Sequence, residues 1–183
     1  MPAPVTPSTS SAPVRGKTDF SLPFVIDALV HQRVLSAEQG QNILTREQAA
    51  RARVLKNQGI VGKDAARYDV SPVEIVAAFQ VPLADGRGSL DEDRVTEIAA
   101  RAAGVPYKKV DPLKLDMALA TRTVSRPFAQ KHVLLPLEKA QDGRLVVAVA
   151  NPFDKELFKS IHVLTGMAID PVLASKTDIL RAI

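Results

Sequence analysis

The chain has 183 residues and 46% hydrophobic content, enough for one domain, or two small ones, with a real core. It contains no cysteine, which excludes disulfides and thiolate metal sites and fits a reducing compartment. A net charge of +4 is mild, and with aromatics at only 4% there is little to stack on bases, so nucleic acid is not the expected partner. No apolar stretch approaches the roughly 20 residues needed to span a bilayer, and the N-terminus lacks the apolar centre of a signal peptide. Direct membrane insertion is therefore not expected, and a soluble, cytoplasmic protein is.

Residues 1–18 hold four prolines, a Ser/Thr cluster and almost nothing large and apolar, the composition of a disordered tail. A short helix is predicted from about Ser21, with Pro23 in its first turn and Phe24, Val25, Ile26, Ala28, Leu29 and Val30 as apolar surface. Ser36 with Gln39 three residues on resembles a capping box, and the periodic pattern predicts one helix over residues 37–56, ended by Gly59. Ser71-Pro72-Val73-Glu74 repeats the signature and opens a helix through Phe79. Ser89-Leu90-Asp91-Glu92 does so again, for a helix through Ala103 closed by Gly104, with residues 81–88 as a loop between them. Residues 19–104 thus read as a helical lobe of about four short helices.

After Gly104 the pattern changes. Residues 105–111 are extended and edge-like because of Pro106, and short capped helices are predicted after Asp116 and Ser125. Residues 133–137 form a strand, turned at Asp142-Gly143 into the uninterrupted apolar run of residues 145–150, which reads as a central strand covered on both faces. Asn151-Pro152 stops that strand, Asp154 caps a helix that Gly166 ends, residues 169–174 return as a strand, and Ser175 caps a last helix still running at Ile183. Ending inside a helix points to a piece of a longer protein. The expected fold is α+β: the helical lobe, then an α/β lobe over residues 105–183 whose three-stranded mixed sheet follows from the order strand, strand, helix, strand, helix.

Catalytic chemistry finds little footing. Lys63 lies in Gly59-Ile60-Val61-Gly62-Lys63-Asp64, but a phosphate-binding loop needs wider glycine spacing, a hydroxyl after the lysine and a preceding strand. His31, His132 and His162 are far apart in sequence with no partner at helical spacing, so no metal site is read. Between Thr45 and Arg67 stand Arg46, Arg51, Arg53, Lys56, Lys63 and Arg67 against Glu47 and Asp64 alone. This is either a solvated helix face or a docking surface for an acidic partner or anionic ligand, with Arg46, Arg51, Arg53 and Lys56 as its candidates. A helix-turn-helix DNA reader is the weakest alternative, because the second helix, residues 72–79, carries no basic residue.

Several spaced elements agree at once with one family. Asp111-Pro112, the run from Val124-Ser125-Arg126-Pro127-Phe128 to Leu134-Leu135-Pro136-Leu137, the stretch from Asp142 to Asp154, Leu164-Thr165-Gly166, Pro171-Val172-Leu173-Ala174-Ser175 and Asp178-Ile179 resemble the N-terminal domain of type II secretion and type IV pilus assembly ATPases. The resemblance, close from about Ala99 onward, implies a non-catalytic docking and regulatory module. The partner it implies is the cytoplasmic domain of an inner-membrane platform protein, at the inner face of the bacterial inner membrane. ATP and magnesium are then expected only in a motor domain outside this segment, and the parent ATPase is expected to be a hexamer.

Some members of the family bind cyclic di-GMP through Arg-Leu-Gly-x-x-Leu-Leu-x-x-Gly-Leu-Ile and a following Leu-x-x-x-Leu-x-x-Gln on a helix hairpin. Matching Leu29-Val30 and Val34-Leu35 to its apolar positions puts Phe24 at the arginine, Ile26 and Arg33 at the glycines, Gly40 at a leucine and Glu47 at the glutamine. Leu44 and the apolar spacing survive. The hairpin is expected to persist with its ligand site lost, since side chains stand where the motif needs bare backbone. Asp142, Gly143, Asn151, Pro152, Asp154 and Gly166 are assigned structural roles in turns and caps.

Overall fold

A computed structural model describes residues 19–83 and 88–183, with backbone alone at residues 66 and 67. The tail expected over residues 1–18 lies outside the described residues. Helix α1 (Leu22–His31) opens with proline in its first turn, as the fixed φ of proline favours. Helix α2 (Ala37–Thr45) starts at a complete capping box: the Ser36 hydroxyl accepts from the Gln39 N–H at 3.1 Å and the Gln39 amide oxygen accepts from the Ser36 N–H at 2.8 Å.

The single helix expected over residues 37–56 is in fact two. Helix α3 (Glu47–Asn57) begins after Arg46, which leaves helical geometry at φ −104° and ψ 17°. The Thr45 hydroxyl turns back onto the Gln41 carbonyl at 2.9 Å, a local bond that bends helices, and the Arg46 N–H is shared between the Asn42 and Ile43 carbonyls. A short helix α4 (Lys63–Arg67), which only the helix-turn-helix alternative called for, follows Gly62 at φ 63°. Helix α5 (Pro72–Ala77) carries the second capping box, Ser71 with Glu74.

The cap of helix α6 (Glu92–Ala103) is Asp91, whose carboxylate accepts from the Arg94 N–H at 2.8 Å, and not Ser89. Ser89 is held in an isolated antiparallel bridge to Pro82, and the Leu90 N–H donates to the Val81 carbonyl at 2.8 Å. Tertiary pairing thus keeps the chain extended through Leu90 and moves the helix start onward. Six helices, where about four were expected, stand among the described residues before Gly104.

Beyond Gly104, at φ 72°, come α7 (Met117–Thr123), α8 (Arg126–His132), β1 (Leu134–Lys139), β2 (Leu145–Val149), α9 (Lys155–Thr165), β3 (Ile169–Leu173) and α10 (Lys176–Ala182). The sheet order is β1-β2-β3, with β1 antiparallel and β3 parallel to β2, so the sheet is small and mixed. Strand β1 starts one residue later than expected. Val133 caps α8 in the left-handed region at φ 48°, which a β-branched residue adopts only under tertiary constraint. Pro171 sits inside β3 without breaking it. The Leu173 N–H points outward to the Pro106 carbonyl at 2.8 Å, so proline two residues earlier directs its missing donor to that same outer edge. There the Tyr107 segment adds a parallel bridge to Leu173.

Every residue of β2 is buried. Leu145, Val147 and Val149 face Leu157 and Ile161 of α9, with Val124 and Ala129, while Val146 and Ala148 face Val110, Ala120, Ile179 and Ala182. Alternate side chains of one strand therefore serve two apolar layers, the arrangement that an apolar run without polar alternation requires. A third layer joins α1, α2, α3, α5 and α6, and Leu173 and Phe153 of the α/β part pack into it.

Candidate functional site

The α1–α2 hairpin holds the positions matched to the nucleotide motif. Phe24 is 3% exposed and stands edge-on to Phe153 at 5.5 Å between ring centroids, with Phe20 at 5.9 Å. The ring that replaces arginine thus helps tie the helices to the turn after β2. Ile26 and Leu29 are buried too, and Leu44 is half-buried. Gly40 accounts for the exchange at Ile26, because a Cβ on Gly40 would lie 2.8 Å from the Ile26 Cγ2. The small residue at this close crossing stands on α2, opposite Ile26 of α1. Arg33 keeps the left-handed backbone, at φ 57°, that suits a glycine, and carries an exposed side chain there. Glu47 pairs with Arg51 at 3.6 Å.

The basic cluster divides along α3. At about 100° per residue, Arg46, Ala49, Ala50 and Arg53 share one face, whereas Glu47 and Arg51 lie across the buried line through Ala50 and Val54. Lys56 is exposed on the flank next to Ala49, and Lys63 is exposed on α4. With Ala78 and Phe79 at the end of α5, the Arg46 face lines a cleft of about 350 Å³. Neither the Arg46 nor the Arg53 guanidinium has an ion-pair partner among the described residues. Phe79, which the sequence reading treated only as a helix end, supplies the apolar wall.

A second polar centre joins the helices to α10. The Lys176 ammonium lies 3.3 Å from a Glu74 carboxylate oxygen, donates to the Asp69 carbonyl and sits 3.7 Å from the centroid of the Tyr68 ring. Glu74 also accepts from Gln58 Nε2 at 2.9 Å, the Tyr68 hydroxyl at 3.1 Å and the Ser71 N–H at 2.7 Å. Burial, and then the Glu74 charge, push the Tyr68 hydroxyl far above the ordinary phenol range. Beside it Glu92 accepts from the Thr177 N–H at 3.2 Å and the Thr177 hydroxyl at 2.6 Å. Burial raises the Glu92 carboxyl despite those two bonds. Tyr107 donates to Asp93 at 3.3 Å and is likewise raised, by burial first and Asp93 second. The sequence held one cue to this centre: a lysine in the first turn of a helix opposes the helix dipole, so Lys176 is there for another partner.

The residues assigned to turns and caps occupy turns and caps. Asp142 accepts from the Arg144 N–H at 3.1 Å beside Gly143 at φ 84°, and its carboxyl is held below the ordinary range by the Arg144 bonds. Asn151 accepts from the Phe153 N–H at 2.9 Å, with Pro152 buried between them, and Asp154 accepts from the Leu157 N–H at 2.9 Å. Gly166 closes α9 at φ 68°. Asn151 and Asp154 also border a cleft of about 240 Å³ with Lys131, His132 and Lys176. His132 lies against the Phe128 ring at 4.6 Å and His162 Nδ1 is 2.8 Å from the Met167 carbonyl. No group of three or more metal-ligating side chains occurs among the described residues, and no helix there is long and apolar enough to cross a membrane.

Residues 103–183 match the family model of the MshEN domain. The Type IV pilus assembly ATPase PilB of Myxococcus xanthus (strain DK1622) is 27% identical over 96 residues, covering 52% of this chain, and the chain spans only 17% of that relative's length. Among solved structures, the N-terminal domain of XpsE aligns with a TM-score of 0.50 at 17% identity, over 87% of this chain and 91% of that one. A structure of MshE with cdg aligns with a TM-score of 0.49 at 16% identity, over 86% of this chain and 94% of that one. At such identities the structural likeness is one of fold alone.

Proposed function

We propose that the chain, whose residues 103–183 match the family model of the MshEN domain, is the docking and regulatory module of a secretion or pilus assembly ATPase, without a hydrolytic site of its own. Support comes chiefly from one coincidence: the family match covers the α/β part, while the fold match to the XpsE N-terminal domain extends over the helices as well. In this reading the helices carry the contact surface, and the α/β part, clamped to them through Lys176–Glu74 and Thr177–Glu92, holds them in place. ATP and magnesium belong to a motor elsewhere in the parent protein, which works as a hexamer. The partner is the cytoplasmic domain of an inner-membrane platform protein, which keeps the module in the cytoplasm at the membrane's inner face.

Calorimetric titration of the chain with that cytoplasmic domain tests the reading. Saturable heat with one-to-one stoichiometry supports it, and no interaction at micromolar concentrations discards it. The alternative, a cyclic di-GMP sensor, predicts a raised thermal midpoint at saturating ligand. With Phe24 and Ile26 committed to the core, an unchanged midpoint is the expected result.

A further inference from the structure

We infer that the cleft between Arg46 and Arg53 is a docking groove for an acidic amphipathic helix, with carboxylates two turns apart and apolar side chains between them. The inference rests on the docking-module reading and assigns it a surface. Ala49, Ala50 and Arg53 lie on one stripe of α3, Arg46 stands at the non-helical junction just before its first turn, and Ala78 and Phe79 stand beside them. Arg53 lies seven residues beyond the junction residue Arg46, which at helical rise is about 10 Å along the axis. Between them the side chains shrink to methyl groups, so the floor is low and apolar and the half-buried Phe79 ring makes one wall.

Charge decides the kind of partner. Glu47, the nearest carboxylate in sequence, turns to Arg51 on the other side of the helix, and neither rim arginine forms an ion pair among the described residues. Exposed Lys56 extends the positive rim. A segment carrying carboxylates at i and i+7 with leucine-sized residues at i+3 and i+4 matches both the spacing and the polarity, by the helix-in-groove mode. Nucleic acid fits less well: a stacking or phosphate-following surface would need cations on the adjoining helix, and α5 has none.

The test uses the whole chain and two probes. One is a short fluorescein-labelled, alanine-based helical peptide with two glutamates seven positions apart and two leucines between them, and the other is the platform protein's cytoplasmic domain. At low salt the wild-type chain binds the peptide, and Arg46→Glu/Arg53→Glu weakens binding at least about tenfold, the scale of a lost charged rim pair. Lys159→Glu, on α9, stays within about twofold, since its charge faces another surface. Peptides with lysine for glutamate, or alanine for leucine, bind poorly. Arg46→Gln/Arg53→Gln repeats the loss without charge reversal, so a folding defect in one variant leaves the other informative.

If both probes lose affinity on reversal, the groove is the docking surface. If the platform domain binds wild type and reversed variant equally, the groove assignment fails while the docking reading stands. A peptide that binds by charge while the platform domain does not bind at all keeps the groove and removes that partner. Failure of both probes overturns both, as does retention of random duplex DNA that is lost on reversal while the peptide stays unbound.

Discussion

Replacing Lys176 by methionine isolates the buried ion pair between the helices and α10. Side-chain exposure is 6% for Lys176 and 4% for Glu74, so neither charge is screened by water. Breaking a buried pair by removing one partner costs about 3–5 kcal/mol, because the other charge stays behind uncompensated. Glu74 retains donors from Gln58, Tyr68 and the Ser71 N–H, which offset part of that cost, while the Asp69 carbonyl loses its partner. The balance is a loss of about 2–3 kcal/mol, equivalent to about 5–10 °C in Tm for a chain of this size. Urea unfolding followed by circular dichroism reads it directly, since the chain has no tryptophan to report by fluorescence. The double variant Lys176→Met/Glu74→Leu should lose less than the sum of the single changes, with a coupling of about 1–3 kcal/mol. A loss under about 1 kcal/mol for Lys176→Met, or strict additivity in the double variant, would refute the view that this pair clamps the two parts together.

Three further outcomes follow from local geometry. Gly40→Ala should destabilise by about 1 kcal/mol in urea unfolding despite the better helix propensity of alanine, because its Cβ meets the Ile26 methyl. Truncating Ile26 as well should then leave the second change at Gly40 nearly neutral. Asp91→Ala should lower stability by about 1 kcal/mol through loss of the α6 cap, whereas Ser89→Ala should change it by less than about 0.5 kcal/mol; thermal melts of the two variants decide which residue caps. Glu92 yields a pH signature. Its folded carboxyl titrates above the ordinary 4.5, so the folded state holds the proton longer than the unfolded one, and stability falls as pH rises from 4.5 through the raised value. Glu92→Gln removes that component. Relative to wild type the variant should fare better at about pH 7 than at about pH 4, and a difference that moves the other way would contradict the burial argument.

How much of this was readable beforehand depends on the range of the forces involved. The capping boxes at Ser36 and Ser71, the caps at Asp116, Asp154 and Ser175 and the turn at Asp142-Gly143 form within a few residues, and each stands where composition put it. The apolar run of β2 announced its own burial, because no amphipathic alternative exists for Leu145-Val146-Val147-Ala148-Val149. The mixed three-stranded order followed from the connections. Two misjudged features are those where pairing between segments overrode a local preference: Ser89 gives up its capping role to a bridge with Pro82, and Val133 takes a left-handed backbone to launch β1. The break of the helix over residues 37–56 at Arg46 is local, at the Thr45–Gln41 bond.

The candidate surfaces divide in the same way. Charge counting picked out Arg46, Arg51, Arg53 and Lys56 together, since sequence records their number but not which of them already has a partner. Only the folded chain separates Arg51, paired with Glu47, from Arg46 and Arg53, left facing Phe79 from the end of another helix. The Lys176–Glu74 pair lies across 102 residues of chain, beyond any local pattern. By itself the sequence determined most of the caps, the turns, the strand buried on both faces and the family resemblance, all of which rest on short-range stereochemistry or on residue identity. The tertiary structure alone decided which charges were buried in pairs and which were left open at the surface, because desolvation and pairing depend on the neighbours that packing supplies.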